Sequence, residues 1–491
     1  MVLSHVSDVP DLPRHPSARK TASDSVTTGK VARSLVAGLD LGSTNTKVMV
    51  TDTSGNEIVT AHVPTPWRPG AQGVTEMEAA ALVHAVHRVL ADASRALAIQ
   101  TDATVGAIAI SGMGESGILI NAAHQPATPA IAWFDPRGAE QAAAFPDWIR
   151  AEFHGRTGLP LGAQVSVAKL AYLHDRGLDL SALRWLNLPE FIAMSLGGVV
   201  AVERSLVART GLLDLDSGQP WTDLLKHIGA DDSLLPPIVD AGADFGRATA
   251  SDVPAAFAGA RLTVAGHDHL VAAEASGPLS SETYHVSMGT AEVLLRVIDG
   301  PLGYEARARL VEHLINEVPH VVPGKHILVA GVKSGLLLRR VLQLVGIQDR
   351  AGRNELDRAV MALPLEGTLG TGSVEVSGAR NDDGVLRVTA HVDGVTPAEL
   401  FAAALRHSNE EIAVLIDAMD RELPPATSSS LTGGWVGMAA VRRARQDVLP
   451  AMAVSQREQE TAYGAALAAI RLLNLPAPTT ADRPEASTRN D

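Results

Sequence analysis

The stretch Leu39–Asp52, LDLGSTNTKVMVTD, sets an acidic residue and a polar turn between two apolar runs. The runs, Leu35–Leu39 and Lys47–Thr51, are rich in aliphatic and β-branched residues, which is the pattern of paired strands. The sequence therefore predicts a hairpin whose turn is formed by Gly42, Ser43 and Thr44. A turn this polar raises the question of which ligand lies against it.

A second copy of the pattern occurs about half the chain later. His285–Asp299, HVSMGTAEVLLRVID, again has an apolar run, a Gly-Thr turn at Gly289 and Thr290, and an aliphatic run. Short structural repeats recur every ~20–50 residues, so this separation indicates duplicated lobes instead. We expect two similar α/β lobes, with a boundary near Gly277 or Pro278.

The composition narrows the class of protein. A length of 491 residues exceeds the usual single domain, and 46% hydrophobic but only 3% aromatic residues fit an α/β core of small aliphatic side chains. The formal net charge of -14, without a cluster of Lys and Arg, argues against a nucleic-acid partner. No apolar run approaches the ~18 residues of a membrane helix. The absence of cysteine excludes disulfides and thiol chemistry and fits a cytoplasmic location.

The two ends of the chain differ in composition from the rest. Residues 1–31 mix Ser, Thr, Asp, Pro and basic residues without the apolar segment of a secretory signal, and residues 476–491 are similar. We expect disorder in both. The lobes are then predicted at 32–277 and 278–475, with long helices at Pro397–Met419 and Gln456–Leu473.

The two polar turns have a common chemical use. Converging backbone N–H groups in a tight Gly-Ser/Thr turn stabilise anions, so one turn from each lobe can hold a polyphosphate between them. Asp40, at the end of the first strand, would then face the accompanying cation. Each turn alone is also compatible with an ordinary hairpin that has a polar tip, but their matching contexts favour phosphate. The chain has no G-x-x-x-x-G-K-[ST] motif, which excludes a P-loop.

A pair of glycines, Gly433 and Gly434, follows the hydroxyl-rich run SSSLT. Paired glycines let the backbone approach a flat ligand such as adenine. They are equally typical of a turn between a strand and a helix.

The segment VAGHDHLVAAEASG places Asp268 between two histidines after a short apolar run. As a general base, Asp268 would accept a proton from a hydroxyl nucleophile. As a metal site, the segment would need ligands from elsewhere in the chain. As a helix N-cap, Asp268 would have no chemical role. The local sequence leaves all three open.

Two further segments combine groups suited to a polyhydroxylated ligand. ISGMGESG carries one carboxylate, Glu115, and AWFDPRG carries Trp133, Asp135 and Arg137. Aromatic faces pack against C–H surfaces, and carboxylates accept hydrogen bonds from hydroxyl groups. The same residues also suit a core aromatic beside a salt bridge.

Taken in order, these segments resemble the FGGY family of carbohydrate kinases from Val36 to Leu475, most closely its xylulokinase and L-fuculokinase-like branch. The resemblance rests on DLGSTNTK, ISGMGESG, AWFDPR, AGHDH, SMGTAE, TGGW and ETAYGAALAAI. It implies a two-lobed, actin-like and ribonuclease-H-like α/β fold with a cleft between duplicated domains. It also implies ATP-dependent phosphorylation of a ketose, pentose or related polyol with Mg²⁺, and a homodimer as one assembly.

The resemblance also implies roles for individual residues. Asp268 matches the catalytic base, and Asp40 matches the residue linked to magnesium. The residues implied in nucleotide and phosphate binding are Gly42, Ser43, Thr44, Lys47, Gly289, Thr290, Gly433 and Gly434. Those implied in sugar binding are Glu115, Trp133 and Asp135, with Glu76 and Arg137 as weaker candidates.

Two other functions compete with this interpretation. An actin-like ATPase acting on proteins would leave AWFDPR and Glu115 without a role. A catalytically silent regulator that binds sugar or nucleotide would not need Asp40 and Asp268, yet both are present.

Overall fold

The computed structural model describes residues 35–364, 373–378, 386–455 and 459–475. The predicted disordered segments 1–31 and 476–491 lie outside these ranges. Within the described ranges, no helix has both the length and the apolar character needed to cross a membrane.

The first half of the described chain alternates strands and helices. Its strands are β1 Leu35–Leu41, β2 Asn45–Asp52, β3 Glu57–Pro64, β4 Arg68–Pro69, β5 Thr75–Met77, β6 Val105–Gly112, β7 Gly117–Ile120, β8 Ala130–Ile131, β9 Arg184–Asn187, β10 Val202–Glu203, β11 Leu213–Asp214, β12 Gln219–Pro220, β13 Ile238–Val239 and β14 Arg261–His267. Its α-helices are Ala79–Gln100, Ala139–Ala144, Asp147–Thr157, Ser166–Asp175, Leu188–Ser195, Arg204–Ala208, Thr222–His227 and Asp268–Ser276.

The second half repeats this alternation. Its strands are β15 Thr283–Met288, β16 Glu292–Asp299, β17 Asn316–Pro319, β18 Lys325–Val332, β19 Val374–Ser377, β20 Arg387–Ala390, β21 Ser428–Thr432 and β22 Met452–Val454. Its α-helices are Tyr304–Val311, Ser334–Leu344, Arg350–Ala362, Pro397–Asp420, Ala439–Arg445 and Glu460–Leu472.

The two main sheets share the order of five strands, and the second sheet has β17 as an additional edge strand. The first has the strand order β14-β6-β1-β2-β3, and the second has β17-β18-β16-β15-β21-β22. In each, an antiparallel hairpin, β1/β2 or β15/β16, is extended by a strand parallel to its first member, β6 or β21. The hairpin and its duplication are therefore confirmed. Because the topologies correspond, residues after β6 and after β21 occupy equivalent positions in the two sheets.

Two helices connect the sheets. The helix Asp268–Ser276, here called the crossing helix, leads from β14 towards the second sheet, and the helix Glu460–Leu472, the return helix, packs back on the first. The contact is close because the facing residues are small. A Cβ on Gly38 of β1 would lie 1.9 Å from the carbonyl oxygen of Ala462, and one on Gly464 would lie 2.4 Å from that of Val271.

A second contact joins the two halves of the chain away from these helices. Gly155 packs against the ring of Tyr304, and the Gly158 carbonyl accepts a hydrogen bond of 3.1 Å from the backbone N–H of Glu317. Buried Arg307 donates from Nε to the Gly155 carbonyl at 2.6 Å. Contacts at Gly155 and Gly158 thus join the first half of the chain to the second.

Candidate active site

Asp40 lies near the end of β1, beside the first turn. Its carboxylate is buried, Oδ2 lies 4.0 Å from Nζ of Lys47, and Oδ1 has no hydrogen-bond partner. Burial and the nearby negative charge of Asp268 raise the pKa of Asp40 to about 7, although Lys47 acts to lower it. A buried carboxylate oxygen without a donor is a group that a cation would stabilise.

The donor set around Asp40 suits magnesium better than a metal held only by protein. Within the described residues, no group of three or more His, Asp or Glu side chains forms a metal cluster. Mg²⁺ commonly keeps several waters and binds through one or two carboxylates plus substrate phosphates. Asp40, with its unpartnered oxygen, fits that mode. The same absence of a cluster removes support for a protein-only metal site at Asp268.

The first turn presents its hydroxyl groups outward. Gly42 donates its backbone N–H to the carbonyl of Asn45 at 3.2 Å, and the hydroxyl of Thr65 donates to the Gly42 carbonyl at 2.6 Å. Ser43 and Thr44 are exposed at the tip. These bonds fix the backbone while the tip stays accessible to a ligand.

Asp268 is the first residue of the crossing helix, and His267 occupies the N-cap position. The N-cap interpretation of Asp268 is therefore not supported. Oδ1 of Asp268 accepts a 2.7 Å hydrogen bond from the backbone N–H of His269 and lies 3.3 Å from Nε2 of His267. Its side chain keeps 20% of its surface exposed, so it remains reachable.

The electrostatic setting keeps Asp268 ionised. Burial acts to raise the pKa of Asp268, but His269, the His269 backbone N–H and Arg209 together hold it below its usual value. Burial lowers the pKa of His267 to about 3, so its ring is neutral at physiological pH. The result is a partly exposed carboxylate that is free to accept a proton.

The second turn lies where three glycines meet. A Cβ on Gly335 would lie 1.8 Å from the carbonyl oxygen of Gly289, and one on Gly433 would lie 2.6 Å from that of Met288. Gly433 also has φ +96°, which favours glycine. The end of β21 therefore lies directly against the second turn, which brings Gly433 to Gly289 and Thr290 as the nucleotide interpretation requires.

A cleft of about 1000 Å³ lies between the crossing helix and the second sheet. Of the predicted site residues, Asp268, Gly433 and Gly434 line it. No atom lies within 4 Å of the position that a Cβ on Gly434 would take, so this glycine faces open space. Two cationic side chains that the sequence did not single out, Arg350 and Arg442, also line the cleft. Its volume suits a nucleotide-sized ligand.

Glu115 follows β6 and forms a buried ion pair with Arg209, 94 residues later. Nε of Arg209 donates to Oε1 of Glu115 at 2.6 Å, and Nη2 donates to the same oxygen. Burial raises the pKa of Glu115, while Arg209 opposes this effect. Glu115 has φ +59°, an uncommon conformation for a non-glycine residue and one that clusters at functional sites.

The segment after β8 is held by a dense ion-pair network. Both carboxylate oxygens of Asp135 accept hydrogen bonds, from Arg137 and from the backbone N–H of Thr75 at 2.6 Å. Nη1 of Arg137 also donates to Glu76 at 3.2 Å. Asp135, Arg137 and Glu76 are thus brought together, but the bonds of Asp135 go to the protein itself. The sugar-binding role of these three residues stays a prediction.

Trp133 is 40% exposed and packs edge-to-face with Phe134 at a centroid distance of 5.4 Å. It is therefore not a core residue. An exposed aromatic face beside polar groups suits the C–H surface of a sugar.

Two buried cations of the first lobe were missed from the sequence. Lys169, on the helix Ser166–Asp175, donates from Nζ to the carbonyls of Asp135 and Arg137, and its burial lowers its pKa to about 8. Arg209 pairs with Glu115. A lysine inside the apolar run SVAKLAYL was a usable signal, whereas nothing near Arg209 in the sequence points to a partner 94 residues away.

Comparison with known proteins tests the predicted family and fold. Residues 35–273 match the model of the FGGY family of carbohydrate kinases, N-terminal domain. A xylulose kinase of Lactococcus lactis is 24% identical over 293 residues, covering 59% of this chain and 57% of the relative. A glycerol kinase of Xanthobacter autotrophicus is 26% identical over 435 residues, covering 82% of each chain. The match thus spans little more than half the length of the first relative.

The fold comparison covers more of the chain. The crystal structure of a xylulose kinase from Brucella ovis superposes with a TM-score of 0.79 at 20% identity, covering 93% of this chain and 94% of that one. The predicted two-lobed, actin-like α/β fold is therefore confirmed. The matched family model confirms the predicted FGGY family of carbohydrate kinases for residues 35–273, the first lobe of the chain.

Proposed function

We propose that this protein transfers the γ-phosphoryl group of ATP to a hydroxyl of a ketose, pentose or related polyol, with Asp268 as the general base. The observation that carries the proposal is the position and charge of Asp268. It is an accessible carboxylate that lines the nucleotide-sized cleft. Its charge interacts with those of Asp40, Glu115 and Arg209.

The roles of the side chains follow from this arrangement. Asp268 accepts the proton as the substrate oxygen attacks phosphorus. Because the N–H groups of Gly42 and Gly289 are bonded within their own turns, exposed Ser43, Thr44 and Thr290 would be the turn residues that donate to the phosphoryl oxygens. Asp40 would hold Mg²⁺ through its unpartnered Oδ1, and the bound cation would supply positive charge against the phosphates. Arg350 and Arg442 lie in the cleft where they would offset further phosphate charge.

The two lobes of the duplicated fold would bind different substrates. We assign sugar binding to the lobe at 32–277 and nucleotide binding to the lobe at 278–475, with Gly433 and Gly434 beside the adenosine. Closure of the lobes would exclude water, which would otherwise accept the phosphoryl group. X-ray scattering profiles that do not change when sugar and nucleotide are added together would contradict this part of the proposal.

Assembly and location complete the proposal. We further propose a homodimer, as the family resemblance implies, that acts in the cytoplasm on a small-molecule sugar or polyol without a membrane. The absence of cysteine is consistent with the cytoplasm, and the net charge of -14 argues against a nucleic-acid partner. Light scattering of the purified chain tests the dimer, and cell fractionation tests the location.

The test is coupled ADP release across a panel of ketoses, pentoses, polyols and aldonates, with the parent protein and Asp268→Asn. Asparagine keeps the bond from the His269 backbone but cannot accept a proton, so we expect a loss of roughly 10²- to 10⁴-fold in kcat. Asp231→Asn is the matched control because Asp231 also accepts a backbone N–H, from Ser233, at the start of the single-turn 3₁₀ helix Asp232–Leu234, but lies on the surface.

The outcomes separate the competing functions. A kinase releases ADP in proportion to one class of acceptor, and this release disappears in Asp268→Asn but not in the control. ADP release without any acceptor would indicate an ATPase. Thermal stabilisation by sugar or ATP without ADP release would indicate a silent regulator.

A further inference from the structure

The strand β14 ends with Gly266 and His267, directly before the proposed base Asp268. We propose that Ser205 and Glu203 are positioning residues for this base, acting through hydrogen bonds that reach the backbone of His267. This inference rests on the proposed kinase function and names two residues that serve the same site. Neither of them lines the large cleft, so they act through Asp268 and not on a substrate.

Two hydrogen bonds link Glu203 to the end of β14. The backbone N–H of His267 donates to Oγ of Ser205 at 3.1 Å, and that hydroxyl donates to Oε2 of Glu203 at 2.6 Å. Both side chains are buried. A hydroxyl whose proton is directed at a carboxylate has only its lone pairs left to offer. The Glu203 carboxylate therefore orients the Ser205 hydroxyl to accept from His267.

Glu203 is itself held in place by the backbone around it. Oε1 accepts from the N–H of Ser205 at 2.9 Å, and Oε2 accepts from the N–H of Leu206 at 3.0 Å, which caps the helix Arg204–Ala208. The N–H of Glu203 donates to Oε1 of buried Glu190 at 2.7 Å. The carboxylate is thus a fixed point to which the end of β14 is tied.

The end of β14 departs from regular strand geometry. Its pairing with β6 shifts register between Val264 and Gly266, and Gly266 has φ +108°, a conformation that favours glycine. Irregularities of this kind re-aim the side chains next to them and are common beside active sites. Because Asp268 follows two positions later, the peptide groups of Gly266 and His267 set the direction in which it enters the cleft.

Packing alone leaves the end of β14 incompletely fixed. A Cβ on Gly266 would lie 2.5 Å from Cγ1 of Val321. It would also lie 2.7 Å from Oγ of Ser205 and 3.2 Å from Oε2 of Glu203, so only glycine fits here. Glu203 and Val321 in turn line a separate cavity of about 330 Å³ between the two halves of the chain. Since Gly266 has no side chain to pack and a cavity adjoins its neighbours, the directional bond from His267 to Ser205 supplies the constraint.

The experiment compares the steady-state kinetics of the parent, Ser205→Ala and Glu203→Gln. The reaction uses ATP and whichever of D-xylulose, glycerol and D-gluconate gives the highest rate. Ser205→Ala keeps both backbone N–H bonds to Glu203, so the helix cap remains and the variant should fold. Because a misplacement of about 1 Å can cost about 10²-fold, kcat should fall about 10- to 100-fold. The KM values for ATP and acceptor should change less than about twofold.

The double variant tests whether the two residues act together. Glutamine has one acceptor oxygen where the carboxylate has two, so Glu203→Gln cannot serve all three donors and should also lower kcat. If Ser205 and Glu203 act through the same hydrogen bonds, Ser205→Ala/Glu203→Gln should be about as slow as Ser205→Ala alone. Losses of kcat that multiply in the double variant would overturn the inference.

Thr157→Val is the control for the loss of a buried hydroxyl. The Thr157 hydroxyl donates to the Phe153 carbonyl at 2.7 Å and accepts from the Leu159 N–H at 3.2 Å, and Thr157 lines neither cavity. This variant should lose stability but keep kcat. A fall in kcat as large as that of Ser205→Ala would indicate a general structural effect and contradict a positioning role.

Failure of the inference and failure of the proposed function look different. If Ser205→Ala keeps the parent's kcat, or changes only a KM, the inference is overturned while the kinase function stands. If the parent releases no ADP with any of the three acceptors, the kinase function fails, and crystal structures of the parent and Ser205→Ala decide the inference. A rotated peptide between Gly266 and His267 with a displaced Asp268 carboxylate supports it, and an unmoved carboxylate overturns it.

Discussion

Replacing Gly38 by alanine should destabilise the protein by forcing the return helix away from the first sheet. The added Cβ would lie 1.9 Å from the carbonyl oxygen of Ala462 and 2.5 Å from the backbone nitrogen of Ala466. Both partners are backbone atoms of one helix, so neither can turn aside as a flexible side chain would. The helix must shift by about 1 Å to restore ordinary contacts.

The size of the effect follows from that geometry. Overpacking a close-packed core costs typically about 1–3 kcal/mol, and we expect about 3 kcal/mol here because a rigid element moves as a whole. The shift would also loosen the remaining apolar contacts of the helix, including fully buried Ala465, Ala469 and Ile470. The parent has the room only because glycine and alanine face each other across the contact.

Urea unfolding followed by far-UV circular dichroism measures the change, with Gly106→Ala as the matched control. Gly106 lies on the neighbouring strand β6, and its added Cβ would meet Cδ1 of Leu473, just beyond the return helix, at an ordinary 3.4 Å. The control should be neutral, or stabilised by less than about 1 kcal/mol, because alanine restricts the unfolded chain. If Gly38→Ala unfolds at the same urea concentration as Gly106→Ala, the packing argument is wrong.

Two further predictions concern the second turn and the response to acid. Gly335→Ala would place a Cβ 1.8 Å from the Gly289 carbonyl and should abolish thermal stabilisation by ATP while leaving that by sugar. Gly106→Ala, in the first sheet, meets only contacts of 3.4 Å or more and should behave as the parent, so equal ATP shifts in both variants would contradict this prediction. Burial lowers the pKa of His320 to about 3, below the value of 6.5 that its imidazole has in the unfolded chain. Protonation therefore favours the unfolded chain, so the stability that neutral His320 confers is fully present above pH 6.5 and is lost as the pH falls towards 3. The free energy of unfolding should therefore drop with acidification in this range, and His320→Asn should reduce the slope by about 1.4 kcal/mol per pH unit, a change measurable from urea midpoints at pH 6 and pH 5.

The hairpin motifs were readable because their signals are local. The apolar runs around Gly42 and Gly289 alternate with polar turns in the way that strand pairing requires, and β1/β2 and β15/β16 formed where they were expected. The helix predicted at Pro397–Met419 also formed, whereas the one predicted at Gln456–Leu473 begins later, at Glu460, and ends at Leu472. Pro397–Asp420 begins with a Thr396 capping box, a pattern fixed by residues three apart.

Contacts between residues far apart in the sequence could not be predicted in the same way. Composition and motif order single out Asp135 and Arg137. Only the structure shows that both carboxylate oxygens of Asp135 accept hydrogen bonds, from Arg137 and from the Thr75 backbone. It is also the structure that brings Lys169 beneath that segment. Such contacts depend on how the elements pack, and no local pattern encodes them.

The sequence by itself determined the family, the duplicated hairpins and the candidate acids Asp40 and Asp268. Each of these can be recognised from short motifs whose residues are adjacent in the chain. The tertiary structure decided which groups remain available for chemistry. It buried Asp40 with one unpartnered oxygen, left Asp268 partly exposed, and joined Arg209 to Glu115 across 94 residues. The physical reason is that the solvation and pairing of a charge depend on its neighbours in space, which sequence order does not specify.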